Sequence, residues 1–337
     1  MDPRPLKITL AHGSGGRMMQ ELIATLFRRA FDNPALNSLD DAAELAFPGT
    51  RLAFTTDSYV VTPLIFPGGD IGRLAVCGTL NDLAVKGARP LALSASFILE
   101  EGLETALLEK IVASMARAAS EAGVSVVTGD TKVVEKGKAD GMFITTSGVG
   151  EIPAGRNVSG SLARPGDAVL VNGPIAEHGI AVLNARMDFG LKGDLKSDCA
   201  SLSGLVEALF GVTSKIHAMR DPTRGGVATT LNEIAGQSGV GIILEEARIP
   251  VRPEVKASCD LLGLDPLYVA NEGKVLVVVD RDEAGAVLVS MKGCPLGEGA
   301  ARIGEVVDKP RGVFLRTRIG GLRPLILLEG EQLPRIC

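Results

Sequence analysis

The sequence contains no tryptophan, and aromatic residues make up only 4% of it. That leaves little with which to stack nucleic-acid bases. Basic charge is not in surplus either: 35 Lys and Arg stand against 40 Asp and Glu, a formal net charge of -5. Neither nucleic acid nor an anionic membrane surface is therefore an expected partner. There are three histidines, and the five cysteines (Cys77, Cys199, Cys259, Cys294 and Cys337) are odd in number, widely spaced and free of any C-x-x-C pair. That pattern argues against a structural zinc site and a disulfide framework, and for a reducing, cytoplasmic setting. No stretch is apolar for long enough to span a bilayer, and the start, MDPRPLKITLAHGSGG, has no apolar core of signal-peptide length.

What is present is a globular balance. A chain of 337 residues, 46% hydrophobic and 22% charged, can bury the cores of two ordinary domains. Its 41 glycines imply many tight turns and places where backbone approaches a ligand closely. Turn formers cluster over 153–166 (PAGRNVSGSLARPG) and mark a boundary. The expected division is an N-terminal domain over 1–155, a second domain over 156–311, and a C-terminal strand with a flexible tail over 312–337, ending in a mobile arm. Periodicity predicts strands over 51–61, 91–99, 124–134, 142–149, 168–171, 241–244 and 274–280. Helices are expected over 71–87, 103–122, 175–186, 202–210, 227–237 and 281–291, and a loop over 191–201. The fold class is α/β or α+β in both halves.

Five features can carry chemistry. His12-Gly13-Ser14-Gly15-Gly16-Arg17 precedes a helical pattern, so its backbone N–H groups either face an anion or form a flexible loop. No Gly-Lys-Ser/Thr closes it into a Walker A loop, and no G-x-G-x-x-G spacing is present. Acidic residues recur at the ends of apolar segments: Asp40-Asp41, Asp57, Asn81-Asp82, and Asp130 within Thr128-Gly129-Asp130-Thr131-Lys132. Singly each reads as an N-cap or turn residue; as a group they suit Mg²⁺ held by carboxylates and phosphate oxygens. Lys132 is either an edge-strand charge or a counter-charge to a transferring phosphoryl group. The third feature, Asp221-Pro222-Thr223-Arg224-Gly225-Gly226, repeats the loop-to-helix anion geometry. The fourth, Asn271-Glu272-Gly273-Lys274, places a carboxylate at a strand start, as a solvated turn residue or a general base. The fifth is Cys337, an exposed thiol or a carrier on a flexible arm.

Taken in order, HGSGGR, DDAA, the run from FTTDSYVV to NDLAVKGARP, GDTKVVEKGKADG, DPTRGGVATTLNEIA, NEGK and the terminal PRIC resemble the HypE family of NiFe-hydrogenase maturation factors. These are carbamoyl dehydratases of the AIR synthase-related (PurM-like) ATP-binding superfamily, and the likeness runs from about His12 to Cys337. It implies a PurM-like fold of two domains, each a sheet with helices on one side, and a homodimer with ATP near its interface. It further implies that a carbamoyltransferase, HypF, loads Cys337, that ATP-dependent dehydration makes a thiocyanate, and that the cyanide passes to a HypC–HypD complex. By motif, Asp41, Asp57, Asp82 and Asp130 would hold Mg²⁺ with ATP, joined by Asn81 and Thr128 to Thr131, and His12 to Arg17 would cover the phosphates. Glu272 and Lys132 would work beside the inserted tail. A selenophosphate synthetase would instead carry a reactive Cys near the N-terminal glycines, where this chain has none, a thiamine-phosphate kinase would not need Cys337, and a scaffold would not turn over ATP.

Overall fold

Apolar residues alternate along Thr50–Tyr59 and Met142–Ile152, and alternation is what a sheet with one buried face requires. The computed structural model describes residues 16–22, 24–25, 37–47, 49–187, 194–328, 333 and 335–337. Its first sheet is built from β1 (Ala43–Phe47), β2 (Thr50–Tyr59), β5 (Arg89–Glu100), β6 (Ser125–Val134) and β7 (Met142–Ile152). The strand order is β1-β2-β7-β5-β6, with only β5 and β6 parallel. Helices α2 (Ile71–Val85) and α3 (Thr105–Glu121) cover one face. Phe54, Leu91 and Ile98 stay exposed, and β6 is exposed along nearly its whole length, Val127 and Val133 included.

Helix α2 is buried on almost every side because the second domain packs against it as well. Asp70 starts it, accepting hydrogen bonds from the N–H groups of Gly72 and Arg73 at 2.9 Å each. A short pair, β3 (Ile65–Phe66) and β4 (Gly69–Asp70), leads into that cap.

The second sheet has the order β14-β13-β10-β12-β8-β11-β9. Its strands are β8 (Ala168–Val171), β9 (Ile216–Arg220), β10 (Gly241–Glu245), β11 (Leu276–Val279), β12 (Ala301–Val307), β13 (Gly312–Arg316) and β14 (Leu322–Leu325). Here the expectation of helices on one side fails. β8 (AVLV) and β11 (LVVV) are continuous apolar runs, so both faces need cover. Helices α4 (Glu177–Met187), α6 (Gly226–Ser238) and α7 (Pro253–Leu262) pack on one face, and α5 (Ser203–Val212) and α8 (Ala284–Lys292) on the other. The strand expected at the start of 312–337 is two strands that belong to the second domain: β13 runs parallel to β10 and pairs with β14, completing the second sheet.

Six of the labelled elements are absent from the pattern reading: β1, β3, β4 and β9 are short, β12 is interrupted by Gly304, and α7 is signalled only by Pro253 at its first turn. Gly304 is needed because a Cβ there would stand 2.4 Å from the carbonyl oxygen of Ile243. Among the described residues, no helix is long and apolar enough to cross a membrane.

Candidate active site

The two domains meet over α2, and that seam brings the acidic residues together. β2 supplies Asp57 and Tyr59, and α2 supplies Asp82. The loop between β9 and α6 supplies Asp221, Thr223 and Arg224, and the turn before β11 supplies Glu272. With Ser58, Gly78 and Cys337 these residues line one cleft.

Backbone chemistry explains the convergence. Gly225 and Gly226 take positive φ of 76° and 61°, and a Cβ on Gly226 would meet the carbonyl oxygens of Leu267 and Val269 at 2.6 and 2.7 Å. Only glycine fits that close approach. Asn271 ties this loop to the Glu272 turn: its Nδ2 donates to Pro222 O at 2.8 Å, and its Oδ1 accepts from Ala176 N–H at 2.7 Å. Lys274 fixes the other side of the turn through Asp198 (3.0 Å) and Glu177 (3.3 Å), and Asp198 also accepts the N–H of Glu272 at 3.0 Å. In Asn271-Glu272-Gly273-Lys274, then, the first and last residues build the turn and Glu272 faces the cleft.

So many acids in one buried place resist ionising together. Burial pushes the Asp82 carboxyl well above its ordinary value, and Asp221, Asp57 and Asp41 add to it. Asp221 is pushed up to about 8 by burial and by Asp41. Glu272 is raised well above its ordinary range by burial and then by Asp221, Asp198 and Asp57, with Arg224 opposing. Among the described residues its Oε1 has no hydrogen-bond partner. Asp57 is raised by burial, against Arg224 and a 3.1 Å hydrogen bond from Tyr59 OH. Arg224 is held charged first by Cys337, then by Asp57 and Glu272.

The structure sorts the expected site residues into those it gathers and those it does not. Asp57, Asp82, Glu272 and Cys337 converge in the cleft. Asp41 stands behind it, paired with Arg220 at 2.6 Å, while its carbonyl oxygen accepts from Thr55 Oγ1, which also donates to Asp82 Oδ2 at 2.7 Å. Asn81 is not available to a nucleotide. It is fully buried, its Nδ2 donates to Ala200 O and Glu272 O, and its Oδ1 accepts from Leu202 N–H. It positions the Glu272 turn instead. Thr128, Gly129, Asp130, Thr131 and Lys132 are not in this chain's cleft. They lie on β6, three strands from β2 and so roughly 14 Å away. There Lys132 pairs with Asp130 at 2.8 Å in the open. Gly16 and Arg17 open α1 (Arg17–Leu22), with Arg17 N–H donating to Leu328 O at 3.1 Å. His12, Gly13, Ser14 and Gly15 lie outside the described residues.

The sequence signals less about other residues at the cleft and the tail. Asp221 and Arg224 belong to a loop whose glycines did signal a site, but the carboxylate and guanidinium were not assigned roles. Tyr59 and His178 gave no signal: a Tyr at a strand end and a His in a helix read as core.

The last residues of the expected mobile arm are docked. Val60 N–H donates to Cys337 O at 3.1 Å, and Thr62 N–H donates to Arg335 O at 3.3 Å. Ile336 is buried in the first domain's core, and Leu333 packs between the two cores. The tail thus runs back through the seam and ends in the acidic cleft.

A divalent cation fits this donor set. Asp57, Asp82, Asp221 and Glu272 are hard oxygen donors with mutually raised pKa values, an excess of negative charge that a cation would offset. Among the described residues, no three Asp, Glu, His or Cys side chains are already drawn together as a complete ligand set. The residues fit an ion that keeps water and phosphate oxygens in its shell, as Mg²⁺ does, rather than an all-protein cage.

The two sheets that meet over a buried helix belong to two domains that match the AIR synthase related proteins. The family model of their N-terminal domain matches residues 39–152, and that of their C-terminal domain matches residues 164–316. The chain belongs to this family and, within it, to the HypE carbamoyl dehydratases. It is 56% identical to the carbamoyl dehydratase HypE of Cupriavidus necator over 333 residues, 98% of this chain and 95% of that protein. A crystal structure of a HypE–HypF complex aligns with TM-score 0.88 at 50% identity, covering 91% of this chain and 99% of that one. A crystal structure of the hydrogenase maturation protein HypE in complex with ATP aligns with TM-score 0.83 at 52% identity, covering 98% and 100%.

Proposed function

We propose that the chain is an ATP-dependent carbamoyl dehydratase whose substrate is a carbamoyl group on its own Cys337. The observation that carries this reading is the placement of Cys337 in a cleft walled by Asp57, Asp82, Asp221, Arg224 and Glu272. The net reaction takes the thiocarboxamide and ATP to a thiocyanate, ADP and phosphate. The carbonyl oxygen leaves with the phosphate, and the nitrogen gives up two protons.

ATP supplies the phosphoryl group that makes the amide oxygen a leaving group, and Mg²⁺ supplies charge neutralisation at the phosphates. The protein does the rest. Asp57, Asp82 and Asp221, with Asp41 behind them, hold the cation, and His12 to Arg17 cover the phosphates. Arg224 faces Cys337 and offsets charge that develops beside it. Glu272 takes protons from nitrogen. Burial makes its ionised form a strong base, and among the described residues its Oε1 has no hydrogen-bond partner. With the tail inserted the cleft keeps a cavity of about 30 Å³, room for only a water or two beside the reacting carbon.

A homodimer is part of this reading. The uncovered face of the first sheet and the apolar β6 (Val126, Val127 and Val133) suit pairing of two such sheets. That pairing would carry Asp130, Lys132 and Thr128 to Thr131 of each copy towards its partner's nucleotide. The proposed setting is the cytoplasm, with a HypF carbamoyltransferase loading the tail and a HypC–HypD complex receiving the cyanide.

The test is mass spectrometry of the C-terminal peptide after loading with the carbamoyltransferase and carbamoyl phosphate. Adding ATP is expected to remove one water from the adduct on Cys337. An adduct that survives ATP turnover intact would refute the assignment.

A further inference from the structure

The last three residues of the tail each have a main-chain oxygen received by a named donor. Cys337 O accepts from Val60 N–H at 3.1 Å. Ile336 O is bound by His178 Nε2 at 2.8 Å. Arg335 O accepts from Thr62 N–H at 3.3 Å and from the Arg186 guanidinium at 2.6 Å. The tail therefore runs antiparallel beside 60–62, at the end of β2, while α4 of the second domain grips it from the other side. Arg186 holds both chains at once, since its Nε donates to Thr62 O at 2.9 Å.

The proton on His178 follows from its surroundings. Ser197 Oγ accepts the N–H of Cys199 at 3.0 Å, so its own hydrogen is free to donate to His178 Nδ1, 2.7 Å away. Nδ1 is then the acceptor, and Nε2 carries the hydrogen that points at Ile336 O. The His178 and Phe66 rings also meet at right angles, 5.5 Å between centroids, which restrains the imidazole plane. His178 has no exposed surface.

These contacts hold main-chain oxygens from two sides, and burial of the Ile336 side chain makes one register preferred. A slip of one residue moves an extended chain by about 3.3 Å and turns each side chain to the opposite face. The thiol of Cys337 would then leave the cleft side of Glu272 and Arg224. We infer that His178 and Arg186 set the register of the tail, and thereby the depth at which Cys337 enters the cleft. They are positioning residues for the dehydration, and a tail withdrawn for loading would make none of these contacts. This inference rests on the dehydratase reading above.

Two readouts separate the inference from that reading. Trypsin cleavage after Arg335, followed by intact mass, reports docking without any reaction. His178→Leu and Arg186→Met are expected to lose the terminal dipeptide several-fold faster than the wild type. On the loaded protein, each variant should take up the carbamoyl group normally yet dehydrate it more slowly, for His178→Leu on the order of 100-fold. His178→Gln, whose amide can donate from the position of Nε2, should recover most of that loss. Arg186 is at the half-exposed end of α4, so its variant carries the test if His178→Leu does not fold. Unchanged dehydration in both variants overturns the inference, as does failure of the glutamine to rescue a folded His178 variant. If the wild type itself does not dehydrate the tail, the dehydratase reading fails, and equal trypsin rates in wild type and variants then reject the register role separately.

Discussion

Arg220 of the second domain and Asp41 of the first are paired across the seam at 2.6 Å, with Arg220 nearly buried. The same guanidinium reaches Glu233 at 3.3 Å and Leu39 O at 2.6 Å, so one residue holds the entry to β1 against the second sheet. Asp40, the next residue in sequence, goes elsewhere: it pairs with buried Lys86 at 2.6 Å.

Removing Arg220 leaves Asp41 and Glu233 without their common cation. Arg220→Met is expected to cost about 3 kcal/mol of stability, measured by urea denaturation, because a buried pair broken on one side leaves an uncompensated charge. Asp41→Asn in the same background should restore part of that loss. If the single Arg220 variant unfolds at the wild-type urea concentration, the pair is not holding the seam.

The raised carboxylates set a pH dependence. Asp221 ionises near 8 in the folded chain against an ordinary value of 3.8, and Asp82 and Glu272 are raised in the same direction. The folded state therefore binds more protons than the unfolded state between those values, and stability from this cluster falls as pH rises through that window. The protein without metal is expected to melt at a lower temperature at pH 8.5 than at pH 6. Stabilisation by Mg²⁺ should be greater at pH 8.5, because the ion no longer competes with protons. Melting curves at both pH values, with and without Mg²⁺, check this; Mg²⁺ stabilisation that is equal at both contradicts it.

Gly78 makes room for Tyr59. A Cβ at Gly78 would stand 2.2 Å from the Tyr59 hydroxyl, which donates to Asp57 at 3.1 Å. Gly78→Ala should destabilise the fold by about 1–3 kcal/mol and weaken ATP binding by displacing that hydroxyl from Asp57. Adding Tyr59→Phe removes the clashing oxygen and should recover stability without recovering full ATP affinity. Calorimetric unfolding and nucleotide titration of the two variants separate these effects.

Local pattern revealed the long elements of the first domain because Thr50–Tyr59 and Met142–Ile152 alternate and because Ile71–Val85 ends at Gly87. Two-sided cover of the second sheet was legible only in the continuous apolar runs of Ala168–Val171 and Leu276–Val279; which helices return to which face was not. Asp57, Asp82 and Glu272 were legible as acids at the ends of elements, and Cys337 by its place at the terminus. Asn81 shows the limit of such reading. Next to Asp82 it looks like a ligand, yet one helical step turns it from the cleft towards Ala200, Leu202 and Glu272. His178 was invisible for the converse reason: its partner, the carbonyl oxygen of Ile336, is 158 residues away in sequence.

The central claim is that the tail inside the cleft is the substrate and that its amide oxygen leaves with phosphate. Loading Cys337 with a carbamoyl group that carries heavy oxygen, then adding ATP in ordinary water, tests this directly. The account predicts the heavy oxygen in inorganic phosphate, in proportion to thiocyanate formed on Cys337. Heavy oxygen found in water, or retained on the tail while ATP is consumed, would contradict it.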